Sequence, residues 1–120
     1  MNVELEILRS SKVIAAVGLS PDTSRSSNGV ARYLQEHGYK IIPVNPTVKE
    51  VLGETSYPTL SAIPGPVDAV DIFRRSEEVP AIVEEAIKIN AKAVWMQEGI
   101  INEAAAELVN NAGLLVVMDR

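Results

Sequence analysis

At 120 residues without a cysteine, the chain is long enough for one sizeable core, and disulfides, thiolate metal sites and cysteine nucleophiles are excluded. Its formal charge of −5 argues against nucleic acid or an anionic membrane surface as partner. No apolar run approaches the roughly 20 residues of a membrane span, and residues 1–7 lack the basic flank and apolar core of a secretion signal, so the expectation is a cytoplasmic protein of one domain, residues 1–120.

In chain order, Asn2 is placed to cap a short helix carrying Val3, Ile7 and Leu8 that ends near Ser11. Val13–Val17 is an apolar run of the kind buried on both faces of a parallel sheet. The stretch 18–29 is rich in small and turn-forming residues and reads as a loop, and Val30, Tyr33, Leu34 and His37 then recur at helical spacing up to Gly38. A connection of about 2–6 residues would suffice between strand and helix, and this one is about twice that. Tyr39–Val44 reads as a second strand stopped by Asn45-Pro46. Residues 47–66, broken by Gly53, Pro58, Pro64 and Gly65, read as a crossover with helical turns near Val48–Leu52 and Leu60–Ile63. Val67–Phe73 is a third strand, and Ser76 precedes a helix with Val79, Ile82, Val83, Ala86 and Ile87 on one stripe. Ala91–Met96 is a fourth strand; a helix with Ala104, Ala105, Leu108 and Val109 follows, closed by Asn111 and Gly113, and Leu114–Met118 is a fifth strand.

Strands alternating with helices through right-handed crossovers predict an α/β fold with a five-stranded parallel sheet covered on both faces. Ligands of such sheets bind outside the carboxyl ends of the strands, which here are 18–29, 45–49, 73–76, 97–99 and 119–120. A loop entering a helix N-terminus presents free N–H groups to a phosphate, with Ser24, Ser26 and Ser27 adding hydroxyls and Arg25 a charge. Gly29, read as the point where loop becomes helix, would let a phosphate approach the backbone. Lysines 12, 40 and 92 precede strands, whereas Arg25, Lys49, Arg74, Arg75 and Arg120 fall at the carboxyl edge. Such sorting in an acidic protein points to a ligand with several negative charges, with solvated surface charge as the alternative.

NAD is disfavoured because the first loop has only Gly18 and Gly29 as glycines and the second strand ends in Val44-Asn45-Pro46, with no acid for the ribose. A Walker pattern for ATP is absent as well. The segments Val17-Gly18-Leu19-Ser20, Pro43-Val44-Asn45-Pro46, Val70-Asp71-Ile72-Phe73-Arg74-Arg75, Trp95-Met96-Gln97-Glu98-Gly99 and Met118-Asp119-Arg120 resemble the motifs of the small stand-alone CoA-binding proteins, themselves similar to the CoA-binding domain of the succinyl-CoA synthetase α subunit. The resemblance covers nearly the whole chain and implies a Rossmann-like three-layer sandwich with coenzyme A along the carboxyl edge. Carried over, the phosphate-holding loop comprises Gly18, Leu19, Ser20, Ser24, Arg25, Ser26, Asn28 and Gly29. Val44, Asn45, Pro46, Phe73, Arg74 and Arg75 would line the nucleotide, and Gln97, Glu98 and Gly99 the pantetheine arm. Members of that family usually continue past the Asp-Arg pair with a cysteine and a short tail, which this sequence lacks; a chain cut short after Arg120 would explain the difference.

Catalytic candidates are few. His37, in the last turn of its helix, suits the dipole there. Asp71 lies inside a strand and is expected to be buried and paired, an arginine being one candidate partner, with an active-site acid as the lesser alternative. Glu98 is a first-turn residue by position and a ligand contact by resemblance. No serine has an evident base, Trp95 and Met96 read as core, and no cluster has metal-ligand spacing. The expectation is a module that binds CoA or an acyl-CoA and is not an enzyme by itself. The alternatives are a subunit or partner of an acyl-CoA-handling enzyme, or a regulator binding NAD or an adenine nucleotide. The oligomeric state, including a homo-oligomer, is left open.

Overall fold

The computed structural model describes residues 2–120. Helix α1 (Val3–Ser10) starts where the Asn2 side chain accepts from Leu5 N at 3.1 Å, with Glu4 and Glu6 in its first turn and Arg9 in its last, as capping and dipole favour. Strand β1 (Val13–Val17) follows, then α2 (Ser26–Glu36) and β2 (Lys40–Val44). A hairpin of β3 (Glu50–Val51) and β4 (Glu54–Thr55) and a 3-10 turn at Leu60–Ala62 lead to β5 (Ala69–Ile72). A 3-10 turn at Ser76–Glu78 opens α3 (Val79–Lys88), and β6 (Ala93–Met96), α4 (Glu103–Asn111) and β7 (Leu115–Val117) complete the chain.

Five strands form a parallel sheet in the order β2-β1-β5-β6-β7, the α/β arrangement the sequence predicts. The chain winds outward from β1 to β2 and then returns across it to β5, so strand order reverses between β1 and β5. One face carries Ala15, Val17, Val70, Ile72, Val94 and Met96 under α3 and α4. The other carries Ile14, Ala16, Ala69 and Ala93 under α1 and α2, supplied by Ile7 and Ala31. Both sets alternate along their strands, as a sheet buried on two faces requires.

Three expectations need correction. The segment 48–52 is not a helical turn: Glu50 pairs with Thr55 and Val51 with Glu54, joined by Leu52 and Gly53 at φ 53° and 78°. Two successive positive φ values make the tight hairpin turn whose twist matches its strands, and a leucine in the first position hides it. The loop after β1 is shorter than the stretch 18–29, because Ser26–Gly29 already belong to α2. Trp95 is half-buried, while Met96 is core.

At the amino edge, Asp68 holds the start of β1. Its Oδ2 accepts from the N–H groups of Lys12 and Val13, each at 2.9 Å, and these bonds keep its carboxyl below the usual range. Asp68→Ala should cost about 1–3 kcal/mol in urea unfolding at pH 7, because two N–H groups lose a charged acceptor. A lowered folded pKa means that this contribution is present above the ordinary carboxyl value and is lost as pH falls through the folded one, so the gap between variant and parent should close in acid. An equal gap at pH 7 and pH 3 would contradict this.

Candidate functional site

Past the strands, the carboxyl ends are laced together. Gly18 N donates to Val44 O at 2.9 Å and Phe73 N to Val17 O at 2.9 Å, while Asn45 Nδ2 donates to Leu19 O at 3.0 Å. The Asn45 Oδ1 accepts from both the N–H and the hydroxyl of Thr47, so this one side chain fixes the loop after β2 and ties it to the loop after β1. Gly18 has φ +88°, and a Cβ on it would stand 2.6 Å from Arg74 Cδ and 3.0 Å from Phe73 O. Only glycine allows the Arg74 stem to cross the end of β1.

The loop after β1 is braced from α2. Ser27 Oγ accepts from Ser20 N at 3.1 Å, and Asn28 Nδ2 donates to Ser20 O at 2.9 Å. Both side chains are buried, and Asn28 Oδ1 has no partner among the described residues. Their seat in the first turn of α2 is why serine and asparagine, which read as loop formers, lie in a helix. Further out, Asp22 accepts from the N–H and hydroxyl of Ser24 at 2.9 and 2.7 Å, and these bonds hold its carboxyl low. Arg25 precedes α2 without a side-chain cap, leaving the N–H groups of Ser26 and Ser27 without an acceptor among the described residues. Gly29 is the fourth residue of α2 rather than its entrance, and a Cβ there would meet nothing within 4 Å.

Three of the arginines gathered at this edge, Arg74, Arg75 and Arg120, carry their own counter-charges. Arg74 Nη2 lies 2.8 Å from Glu78 Oε1, and Arg75 Nε lies 3.3 Å from both Glu77 and Glu78. Arg74, then Arg75, keeps the Glu78 carboxyl below its usual range. Arg120 pairs with Glu4 at 3.1 Å. Among the described residues, Arg25 and Lys49 make no ion pair. Exposed pairs such as these are worth at most about 1 kcal/mol, so an anion can compete for the arginines.

Two cavities meet this edge from opposite faces. One, of about 320 Å³ on the α3 side, brings together Val17, Gly18, Val44, Pro46, Arg74 and Glu78. The other, of about 260 Å³, lies between α1 and α2 and contains Asp71, Trp95 and Gln97. Of the residues predicted to line a ligand, Gly18, Val44, Pro46 and Arg74 thus share one cavity, and Gln97 lines the other. Leu19, Ser20, Asn45 and Asn28 form the braced loops between them; Ser24, Arg25 and Ser26 are exposed on the rim, with Phe73 half-buried beside Arg74. Glu98 is exposed, and Gly99 N donates to Asp119 Oδ1 at 2.6 Å. Pro58, Thr59 and Ile82, which also line the α3-side cavity, were not singled out in the sequence. They come from a crossover and the side of a helix, where nothing local marks a ligand wall.

Asp71 is buried and accepts from Gln97 Nε2 at 2.5 Å, so its partner is an amide and not an arginine. Burial pushes its carboxyl up to about 7 against the weaker opposing pull of Gln97. His37, by contrast, is exposed at the far end of α2, stacked on Tyr33 with ring centroids 4.0 Å apart.

The folded state keeps a proton on Asp71 that the unfolded chain releases near pH 4, so stability should fall as pH rises from about 4 to 7. Asp71→Asn retains an oxygen for Gln97 and removes the charge. It should therefore flatten that decline and raise stability at pH 8 by an amount on the order of a few kcal/mol, with little effect at pH 4. Urea titrations at the two pH values check this, and a variant destabilised equally at both would contradict it.

Comparison with known proteins identifies the family of the chain. Residues 12–120 match the family described as a CoA binding domain. The protein YneT of Bacillus subtilis is 46% identical over 114 residues, covering 95% of this chain and 84% of its own. A solved structure of a hypothetical protein from Pyrococcus horikoshii, 43% identical, superposes with a TM-score of 0.95 over 100% of this chain and 86% of that one. The ADP-forming acetate–CoA ligase I of Archaeoglobus fulgidus is 30% identical over 96 residues, which are 80% of this chain but 14% of the ligase.

Proposed function

Because the chain belongs to the CoA-binding domain family, we propose that it binds coenzyme A, free or as an acyl thioester, along the carboxyl edge of its sheet and catalyses no reaction by itself. The observation that carries this reading is the crevice at the β1/β5 reversal, where Gly18 lets Arg74 lie across the strand end beside an apolar wall of Val17, Val44 and Pro46. Such reversal points are where open parallel sheets take nucleotides. An adenine has an apolar slot there, the unpaired N–H groups of Ser26 and Ser27 and the charge of Arg25 suit a phosphate, and Gln97 stands on the side where a pantetheine arm would leave.

The non-catalytic part rests on the side chains. The Ser24 hydroxyl is bonded to Asp22, the Ser27 hydroxyl serves Ser20 N, and the single histidine sits at the opposite end of α2. A second reading is that a partner supplies chemistry on the bound thioester, favoured by the match to a ligase of which this stretch is a small fraction. A cytoplasmic setting, where CoA is available, accompanies either reading.

Thermal denaturation with CoA, NAD and ATP at matched concentration tests the ligand. At 100 times its dissociation constant CoA should add about 2.7 kcal/mol and raise Tm by several degrees, with NAD and ATP well behind. No shift with CoA, or equal shifts with all three, would overturn the assignment.

Gly29 offers a second test. No packing contact requires glycine within this helix, where it costs roughly 0.5–1 kcal/mol relative to alanine. If a phosphate lies against that turn, Gly29→Ala should stabilise the free protein by up to about 1 kcal/mol while weakening CoA binding, read by calorimetry. Stabilisation with undiminished affinity would move the phosphate elsewhere.

A further inference from the structure

The cavity between α1 and α2 lies on the opposite face of the sheet from the proposed nucleotide crevice and meets the same carboxyl edge. Its walls are Ile7 and Leu8 from α1 and Val30 and Leu34 from α2, its floor Ile14 and Ala69. Val30 follows Gly29 in the chain, and Gln97 and Arg120 come from the ends of β6 and β7, so the cavity is continuous with the carboxyl edge at that end. Leu8 and Leu34 carry it toward the amino edge.

We propose that this cavity receives the acyl chain of a CoA thioester, and that Asp71 on its floor restricts it to chains without a terminal carboxylate. The proposal rests on the CoA reading and adds to it the class of acyl group. Of the charged residues lining the cavity, Asp71 makes no ion pair among the described residues, and Arg120 stands at the carboxyl end, at the mouth of the cavity, paired with Glu4. An uncharged chain gains from leaving water for this apolar lining. A chain ending in a carboxylate would have to lose its water in this apolar lining, and above about pH 7, where Asp71 ionises, it would also bring a second negative group against that carboxylate. Free CoA would leave the cavity unfilled.

The chain's one tryptophan, Trp95, lines the cavity, which gives a readout independent of affinity. The experiment is calorimetric titration of the full chain at pH 8, where Asp71 is ionised, with CoA, hexanoyl-CoA and glutaryl-CoA, with Trp95 emission followed in parallel. Since each buried methylene can tighten binding up to about fourfold, hexanoyl-CoA should bind about tenfold or more tighter than CoA and shift Trp95 emission to the blue. Glutaryl-CoA should bind no better than CoA, and Asp71→Asn should improve its binding selectively. Leu34→Trp, which fills the cavity, should bring hexanoyl-CoA down to the affinity of CoA and leave CoA unchanged. If that variant does not fold, the emission shift and the Asp71→Asn comparison decide the matter in its place. Equal affinity for CoA and hexanoyl-CoA without an emission shift would overturn the acyl assignment and leave CoA binding standing. Failure of all three ligands to bind would overturn the CoA reading and this one with it. An emission shift that follows protein concentration alone would mark the cavity as an interface between two copies and also overturn it.

Discussion

At the end of β1 three strands converge on a residue with no side chain. Gly18 continues the ladder to β2 through Val44, while Val17 receives the N–H of Phe73 from β5, and the left-handed turn at Gly18 leaves its outer side open to the Arg74 stem. Any Cβ there would meet a backbone carbonyl at 3.0 Å as well as that stem, and the carbonyl cannot move without disturbing β5. The direction in which both connections leave the sheet depends on this close approach. The β1–α2 loop departs toward one face and the β5–α3 turn toward the other, and the crevice between them is where a ligand can reach backbone groups from two strands at once.

Around that point, polar groups are arranged to hold loops rather than to react. Asn45, Ser27 and Asn28 each place a side-chain donor or acceptor on main-chain atoms of residues 19–20, so the loop is braced before any ligand arrives. Arg74 and Arg75 are paired with acids of the following turn, which fixes them in place at little energetic cost to a competing anion. Asp71 stands apart as a carboxyl buried, among the described residues, with no cation and no bond beyond Gln97, so its charged form destabilises the fold. A group that lowers stability while lining a cavity is better explained by what enters the cavity than by packing.

Most of the architecture is legible in the residues. Buried parallel strands announce themselves as unbroken apolar runs such as Val13–Val17, and the stripe from Val79 to Ile87 defines α3 without help from tertiary contacts. The family is legible because five strand-end segments occur in order. What escapes has physical reasons. The β3–β4 hairpin hides behind Leu52, a residue that rarely takes the left-handed turn it adopts. The α2 boundary escapes because Ser27 and Asn28 look like loop formers until Ser20, the residue they brace, is seen beside them. The two cavities are legible only in part, since they arise where α1, α2 and α3 fail to meet over small residues such as Gly18 and Ala69.

If coenzyme A binds in the crevice at Gly18, amide chemical shifts of the isotopically labelled protein will report it during a CoA titration. The largest changes should fall on Gly18, Leu19, Ser20, Ser26, Ser27 and Arg74, with the amino-edge amides of Lys12, Val13 and Lys92 undisturbed. Saturable shifts confined to the amino edge, or none at all, would contradict it.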